Sequence, residues 1–146
     1  MPVLQTAYNH PDGYQVFTDS YVLFRFYKTE IIDVLPSTNN DATYPSTEKL
    51  VDPIFENGIK SNQLQVKTLK TLCKTSPNEY IEIGLGTNNC VKLGIKNLQT
   101  FLTIMGLKNR EYISFIYIQS SSKYIIKPIG VKVKNKDGII MPMRTE

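Results

Sequence analysis

Short turns join most of the predicted strands of this 146-residue chain, and a short turn permits only antiparallel pairing of the strands that it connects. Turn-forming residues occupy the segments 9–13, 86–89, 120–123 and 134–138, each between runs rich in Val, Ile, Tyr or Phe. The flanking runs are therefore predicted to pair as hairpins. A mainly antiparallel sheet follows from this spacing.

Apolar runs place the strands between these turns. In the first hairpin, residues 3–8 pair with residues 14–26, and the second arm is expected to bend at 18–20, where Thr, Asp and Ser are poor strand residues. The polar segment 36–43 is predicted as a surface loop. The remaining predicted strands are 31–35, 80–85, 90–95, 111–119, 124–133 and 138–143.

Two segments instead repeat apolar residues at helical spacing. Ser61 or Asn62 can cap a first helix that runs to about Lys74. Asn97 can cap a second helix that stops at Gly106. Both apolar faces are expected to pack on the sheet; they comprise Val66, Leu69, Leu72 and Cys73 in the first helix and Leu98, Phe101, Leu102 and Met105 in the second.

These elements predict an α+β fold in which two helices pack on a mainly antiparallel sheet. Residues 44–53, which we call the connector, contain prolines near both ends and are expected to be extended. Residues 1–43 are predicted as an N-terminal hairpin and loop, and residues 44–146 as the connector and the βα domain. The two parts are expected to form one compact unit.

Residues for catalysis or metal binding are sparse in the sequence. The single histidine, His10, lies in a predicted turn without cysteine or carboxylate partners at ligand spacing. No nucleophile elbow or P-loop motif is present, and Asn89 replaces the third glycine of a dinucleotide fingerprint. We therefore expect a binding protein with no catalytic residues, no metal and no cofactor, and not an enzyme.

Composition predicts a soluble, cytoplasmic protein that has no membrane partner. Cys73 and Cys90 lack C-x-x-C spacing and are expected to be reduced thiols. The sequence has neither a signal-peptide pattern nor an apolar run of about 18 residues. A net charge of +4 permits a nucleic-acid partner without requiring one.

Three lysines of the first predicted helix share one side. At 100° per residue, Lys67, Lys70 and Lys74 fall within roughly 60° of one another. One interpretation is an ordinary solvated helix face, and the other is a surface that contacts phosphates.

The last predicted strand contains two methionines and a proline, in the sequence IIMPMR at 139–144. A strand that closes the sheet explains most of these residues. Methionine also suits surfaces that accept varied apolar partners, so a binding surface is the alternative.

Three separated segments resemble a known family. They are PVL at 2–4 with FTDSYVL at 17–23, then YPSTEKLV in the connector, then KPI at 127–129 with IIMPMR at 139–144. Together, and in this order, they are similar to segments of the bacterial sliding clamp, the β subunit of DNA polymerase III. The resemblance implies a DNA-clamp-like domain.

In that family, the three segments form a hydrophobic pocket that receives peptides of DNA polymerases and the clamp loader, and the helices face double-stranded DNA. The resemblance implies DNA contacts by Lys67, Lys70 and Lys74. It also implies a peptide-binding pocket formed by Thr18, Ser20, Tyr21, Leu23, Pro45, Leu50, Tyr124, Ile139, Met141, Pro142, Met143 and Arg144.

The chain is far shorter than a clamp subunit, which carries three two-part domains. Three hypotheses therefore remain open. The first is a small clamp that assembles as a homo-oligomer around DNA and acts as a processivity factor. The second is a clamp mimic that binds peptides as an adaptor or decoy without encircling DNA. The third is an unrelated α+β binding module.

Overall fold

The structure is a computed structural model, and it describes residues 7–9, 13–19, 21–27, 37–38 and 47–144. The strand predicted at 31–35 lies outside these ranges. The fold is α+β with mainly antiparallel sheets, as predicted. Among the described strands, β1 and β4 pair in parallel, whereas the other strand pairs are antiparallel.

The strands in chain order are β1 (Ala7–Asn9), β2 (Gln15–Thr18), β3 (Val22–Phe26), β4 (Ser37–Thr38), β5 (Ile59–Lys60), β6 (Leu64–Gln65), β7 (Tyr80–Gly84), β8 (Cys90–Gly94), β9 (Tyr112–Ile113), β10 (Ile116–Tyr117), β11 (Ile129–Val133) and β12 (Lys136–Ile140). Within the described residues, eight of them form one sheet in the order β4-β1-β2-β3-β12-β11-β10-β5. Two smaller sheets pair β6 with β9 and β7 with β8.

The helices in the described ranges are α1 (Thr47–Leu50), α2 (Asp52–Asn57), α3 (Val66–Thr75) and α4 (Ile95–Ile104). The longest of them have ten residues. A membrane-spanning helix takes about 20 apolar residues, so none of the described helices is long enough to span a bilayer.

The chain reverses direction within 14–26, where a single bent strand was predicted. β2 and β3 pair antiparallel, with Phe17 opposite Phe24. Asp19 makes the reversal, because its Oδ1 accepts hydrogen bonds from the N–H groups of Tyr21 and Val22, both at 2.9 Å. The predicted interruption is therefore confirmed, but it is a turn between strands. The predicted pairing of the first hairpin is confirmed by β1 and β2.

The described part of the connector is helical, so the prediction of an extended connector is wrong. α1 and α2 follow each other, and Val51 separates them. Pro53 lies in the first turn of α2. A proline is tolerated there because the first N–H groups of a helix have no intrahelical partner.

The two longer helices begin at other residues than predicted. α3 begins at Val66 rather than after Ser61 or Asn62, because Leu64 and Gln65 pair with β9. α4 begins at Ile95, directly after β8, so Asn97 lies inside the helix. Gly106 ends α4 as predicted, with a φ of 70° that glycine adopts without strain.

One residue of the predicted helix cores is exposed. Leu72 on α3 is 40% exposed, whereas the other predicted core residues of α3 are buried. Leu72 lies at the edge of the apolar face, about 60° beyond Leu69. The predicted core of α4 is confirmed, since all four of its residues are buried.

The C-terminal strands are shorter than predicted, and the last one begins earlier. Residues 111–119 contain two short strands, β9 and β10, and 124–133 forms a strand only from Ile129. Asp137 and Gly138, predicted as turn residues, belong to β12 and are buried. The turn is confined to Lys134 and Asn135.

Both faces of the central strands are buried. On one face, Phe24 of β3 belongs to a large core that includes Leu69 and Phe101 of the longer helices. On the other face, Leu23 and Ile139 pack with Val51 of the connector in a second, smaller core. Side chains alternate between the faces of a strand, so β3 separates the two cores.

The second face also carries a buried ion pair. Arg25 and Asp137 lie opposite each other in the pairing of β3 with β12. Nε and Nη2 of Arg25 donate to the two carboxylate oxygens of Asp137, each at 2.8 Å. Nη1 donates to Oδ1 of Asp52 on α2 at 2.7 Å, and the Tyr27 hydroxyl donates to Asp137 at 3.0 Å. The rings of Tyr14 and Tyr27 flank the guanidinium at 5.5 and 5.9 Å.

We expect Asp137→Asn to lower the free energy of unfolding by about 3–5 kcal/mol, because it leaves the buried Arg25 charge without its main partner. Urea unfolding followed by circular dichroism measures this change. Glu79→Gln removes the same kind of charge from an exposed side chain and should change stability by less than about 0.5 kcal/mol. Equal stabilities of the two variants would contradict the prediction.

Candidate functional site

The three segments that resemble the clamp pocket meet in this fold. Residues 17–19 and 21–23 lie where β2 reverses into β3, and β3 pairs with β12 so that Leu23 lies opposite Ile139. Beyond the strand, the N–H of Met141 donates to the carbonyl of Tyr21 at 2.8 Å. Val51 of the connector packs against Leu23 and Ile139. We call the surface-accessible side chains of these segments the convergence surface; they are Tyr21, Leu50, Met141, Met143 and Arg144.

The β2–β3 turn contributes one exposed aromatic ring. Tyr21 is 56% exposed, whereas Thr18 is buried and donates from Oγ1 to the carbonyl of Val22 at 2.8 Å. Oδ2 of Asp19 is buried and accepts no hydrogen bond. The turn is therefore held by local hydrogen bonds, and Tyr21 projects from a fixed backbone.

The C-terminal segment bridges two sheets. Met141 is bonded to Tyr21 of the large sheet, and the N–H of Met143 donates to the carbonyl of Lys92 on β8 at 2.8 Å. Pro142 between them is buried, Met141 is half-buried, and Met143 and Arg144 are exposed. Two hydrogen bonds thus hold this segment in place with the Met143 side chain facing outward.

The connector contributes Leu50, which is 42% exposed at the end of α1. The next residue, Val51, is completely buried and fixes the chain to the second core. Two further residues implied by the resemblance, Ser20 and Pro45, lie outside the described residues.

Tyr124 lies beside β8, next to the C-terminal segment. Its hydroxyl donates to Oε1 of Glu82 at 2.7 Å, and its ring lies 5.0 Å from Nζ of Lys92. The hydrogen bond to Glu82 raises the pKa of Tyr124 above its ordinary value. The carbonyl of the same Lys92 accepts the hydrogen bond from Met143, so Tyr124 and Met143 both contact Lys92.

Not all implied pocket residues are available to a ligand in this conformation. Leu23 and Ile139 are only 3% and 4% exposed and belong to the second core. They form a packed floor beneath the surface side chains. Of the implied pocket residues, Tyr21, Leu50 and Met143 are the large apolar ones that are exposed.

The lysine stripe lies on the helix layer. Lys67 and Lys74 on α3 are exposed, and Lys70 is half-buried. The neighbouring side of α3, with Val66 and Leu69, packs into the large core. The connector packs on the second core, so the lysines and Leu50 of the connector belong to different sides of the large sheet.

Sequence reasoning missed the charged network beneath the connector. Burial opposes the charge on Arg25, but the carboxylates of Asp137 and Asp52 outweigh burial and raise its pKa. Burial, together with the charge of Asp137, raises the pKa of Tyr27. The only signal in the sequence was Arg25 itself, a charged residue in a run of strand-forming apolar residues.

No family model and no curated protein sequence matches the chain. Among solved structures, it is similar to the crystal structure of the Helicobacter pylori beta clamp bound to a DNA ligase peptide, at 17% sequence identity and a TM-score of 0.46. The match covers 90% of this chain and 41% of that chain, so this chain spans less than half of that clamp's length. Functional inference therefore depends on the residues of this chain.

We expect the hydroxyl of Tyr27 to stabilise the protein only while it is protonated. Its pKa is raised in the folded state, so this stabilisation is complete below the ordinary tyrosine value of about 10 and is lost as the pH rises above it. The stability difference between wild type and Tyr27→Phe should therefore be constant up to about pH 9 and shrink as the pH rises above about 10.

Urea unfolding at several pH values measures this difference. Tyr112→Phe, which removes the same hydroxyl from an exposed tyrosine, is the matched control. A Tyr27→Phe difference that stays constant or grows with pH would refute the assignment.

Proposed function

We propose that this protein is a sliding-clamp-like accessory protein of DNA replication. It binds short peptides of DNA polymerases or clamp loaders on the convergence surface, and it associates with double-stranded DNA without sequence specificity. The observation that carries the proposal is the meeting of three segments that are far apart in sequence. The N-terminal turn, the connector and the C-terminal segment, each similar to a pocket segment of the clamp family, contact one another here.

The side chains of the convergence surface suit an apolar peptide. Tyr21, Leu50 and Met143 are 56%, 42% and 39% exposed, so their apolar side chains are accessible to a partner. Aromatic residues and methionine are enriched where proteins bind partners, since they supply large contact areas and adapt to different anchors. Leucine and phenylalanine anchors of a peptide would bury these side chains.

We expect Tyr21→Ala and Met143→Glu each to weaken peptide binding by at least about tenfold, since each removes apolar contact area from the surface. Fluorescence anisotropy with a labelled synthetic peptide that carries a glutamine followed by leucine and phenylalanine anchors measures the affinity. Both substitutions are at exposed positions, so the fold should be unaffected.

Tyr112→Ala is the matched control, because Tyr112 is 61% exposed on β9, which belongs to a different sheet from the convergence surface. It should bind the peptide like wild type. Wild-type protein that does not bind the peptide, or variants that bind it equally well, would refute peptide binding on this surface.

The proposed DNA contact uses the lysine stripe of α3. Lys67, Lys70 and Lys74 project from one side of a helix whose other side is fixed in the large core. Lysines on such a helix can contact phosphates without reading bases, which suits a protein that moves along DNA. A single chain of this size cannot surround a duplex, so encirclement requires a homo-oligomer.

We expect the triple change of Lys67, Lys70 and Lys74 to Gln to weaken binding to a DNA duplex and to reduce its salt dependence. Each lost phosphate contact should lower the slope of log K against log salt by about 0.9. The control replaces Lys108, Lys127 and Lys134, which are exposed outside α3, with Gln. Both triple variants have the same net charge, so equal losses would refute a specific role of α3.

Light scattering on the same samples gives the oligomeric state. A symmetric oligomer that retains circular DNA better than linear DNA supports the clamp-like function. A monomer that binds the peptide but not the duplex contradicts it and supports the peptide-binding adaptor or decoy instead.

A further inference from the structure

The guanidinium of Arg25 joins the connector to the sheet. Its Nε and Nη2 are both engaged by Asp137, and each bond is 2.8 Å long. The remaining nitrogen, Nη1, donates to Asp52 at 2.7 Å. Because the guanidinium is planar, the two bonds to Asp137 fix the direction in which Nη1 points. Arg25 is therefore a rigid anchor for Asp52.

Asp52 lies at the junction of the two short helices of the connector, so a contact at Asp52 can fix the position of both. It is the first residue of α2, and Val51 before it makes no side-chain cap for the helix. Leu50, two residues earlier, is the exposed connector residue of the convergence surface. α1 and α2 have only four and six residues, too few to be stable helices without tertiary contacts. Their position depends on what they contact.

We infer that the ion pair between Arg25 and Asp52 sets the peptide affinity of the convergence surface by holding the connector, and with it Leu50, against the sheet. This inference rests on the proposed peptide-binding function. With the pair intact, Leu50 is in place before a peptide arrives. Without the pair, apolar contacts such as those of Val51 and Ile54 hold the segment, and part of the binding free energy is spent on ordering Leu50.

The two partners of this ion pair differ in exposure. The Arg25 side chain is 7% exposed and the Asp52 side chain is 38% exposed. Removing the Asp52 charge leaves Arg25 with its two bonds to Asp137, so the sheet keeps its buried pair. Asp52→Asn therefore tests the position of the connector with little change in overall stability.

The experiment is a double-mutant cycle in which the labelled peptide with glutamine, leucine and phenylalanine anchors is titrated into wild type, Asp52→Asn, Leu50→Ala and the double variant. We expect Asp52→Asn to weaken binding about fivefold, mainly through faster dissociation. In the Leu50→Ala background, the same change should weaken binding by less than about twofold, because Asp52 acts through Leu50. Urea midpoints of wild type and Asp52→Asn should agree closely.

Glu56→Gln is the matched control, since Glu56 is an exposed carboxylate on the same helix. It should bind the peptide like wild type. If wild type binds and Asp52→Asn binds equally well, the inference is overturned while the proposed function stands. A fivefold loss that persists in the Leu50→Ala background also overturns it, because Asp52 then acts independently of Leu50. Wild-type protein that does not bind the peptide overturns the proposed function itself.

Discussion

The rest of the structure depends on the buried pair between Arg25 and Asp137, two residues 112 positions apart in sequence. They lie opposite each other where β3 pairs with β12, and two hydrogen bonds satisfy both charges. A shift of one residue in this pairing would turn Arg25 toward the large core around Phe24, where an unpaired charge is very unfavourable. The pair therefore selects the register that brings the N-terminal turn to the C-terminal segment.

Burial on both faces of β3 explains the character of the candidate site. Leu23 and Ile139 fill the second core, so they support the surface but do not form it. The exposed apolar side chains come from residues at or just beyond the ends of regular elements: Tyr21 before β3, Leu50 at the end of α1 and Met143 after β12. A packed base beneath adaptable side chains limits the entropy that a surface would lose on binding a partner.

Two backbone hydrogen bonds, each to a different sheet, hold the C-terminal segment in place. Met141 is bonded to Tyr21 in the large sheet, and Met143 to Lys92 in the β7–β8 hairpin. Chain ends usually fray unless such contacts hold them. Pro142 has no N–H, so it lies between these bonds without leaving a buried donor unsatisfied. The segment connects the sheet that carries Tyr21 with the hairpin that neighbours Tyr124.

The sequence by itself determined the local elements of this protein. The Gly86–Asn89 turn predicted the β7–β8 hairpin, and the apolar spacing from Leu98 to Met105 predicted the buried face of α4, since these patterns depend on neighbouring residues alone. Sequence similarity also singled out the three segments that contact one another in the fold. The peptide-binding role of their residues and the DNA-binding role of the α3 lysines remain predictions.

The tertiary structure decided what depends on distant partners. Asp137 and Gly138 have turn chemistry, yet they form a strand because Arg25 supplies the charge that Asp137 needs. The described part of the connector is helical because Val51 packs into the second core and Asp52 is bonded to Arg25 on β3, and neither partner is evident from the connector's own sequence. Burial of Leu23 and exposure of Tyr21 were likewise fixed by which elements cover each face of the sheet. Propensity acts over a few residues, whereas burial and charge pairing are properties of the assembled chain.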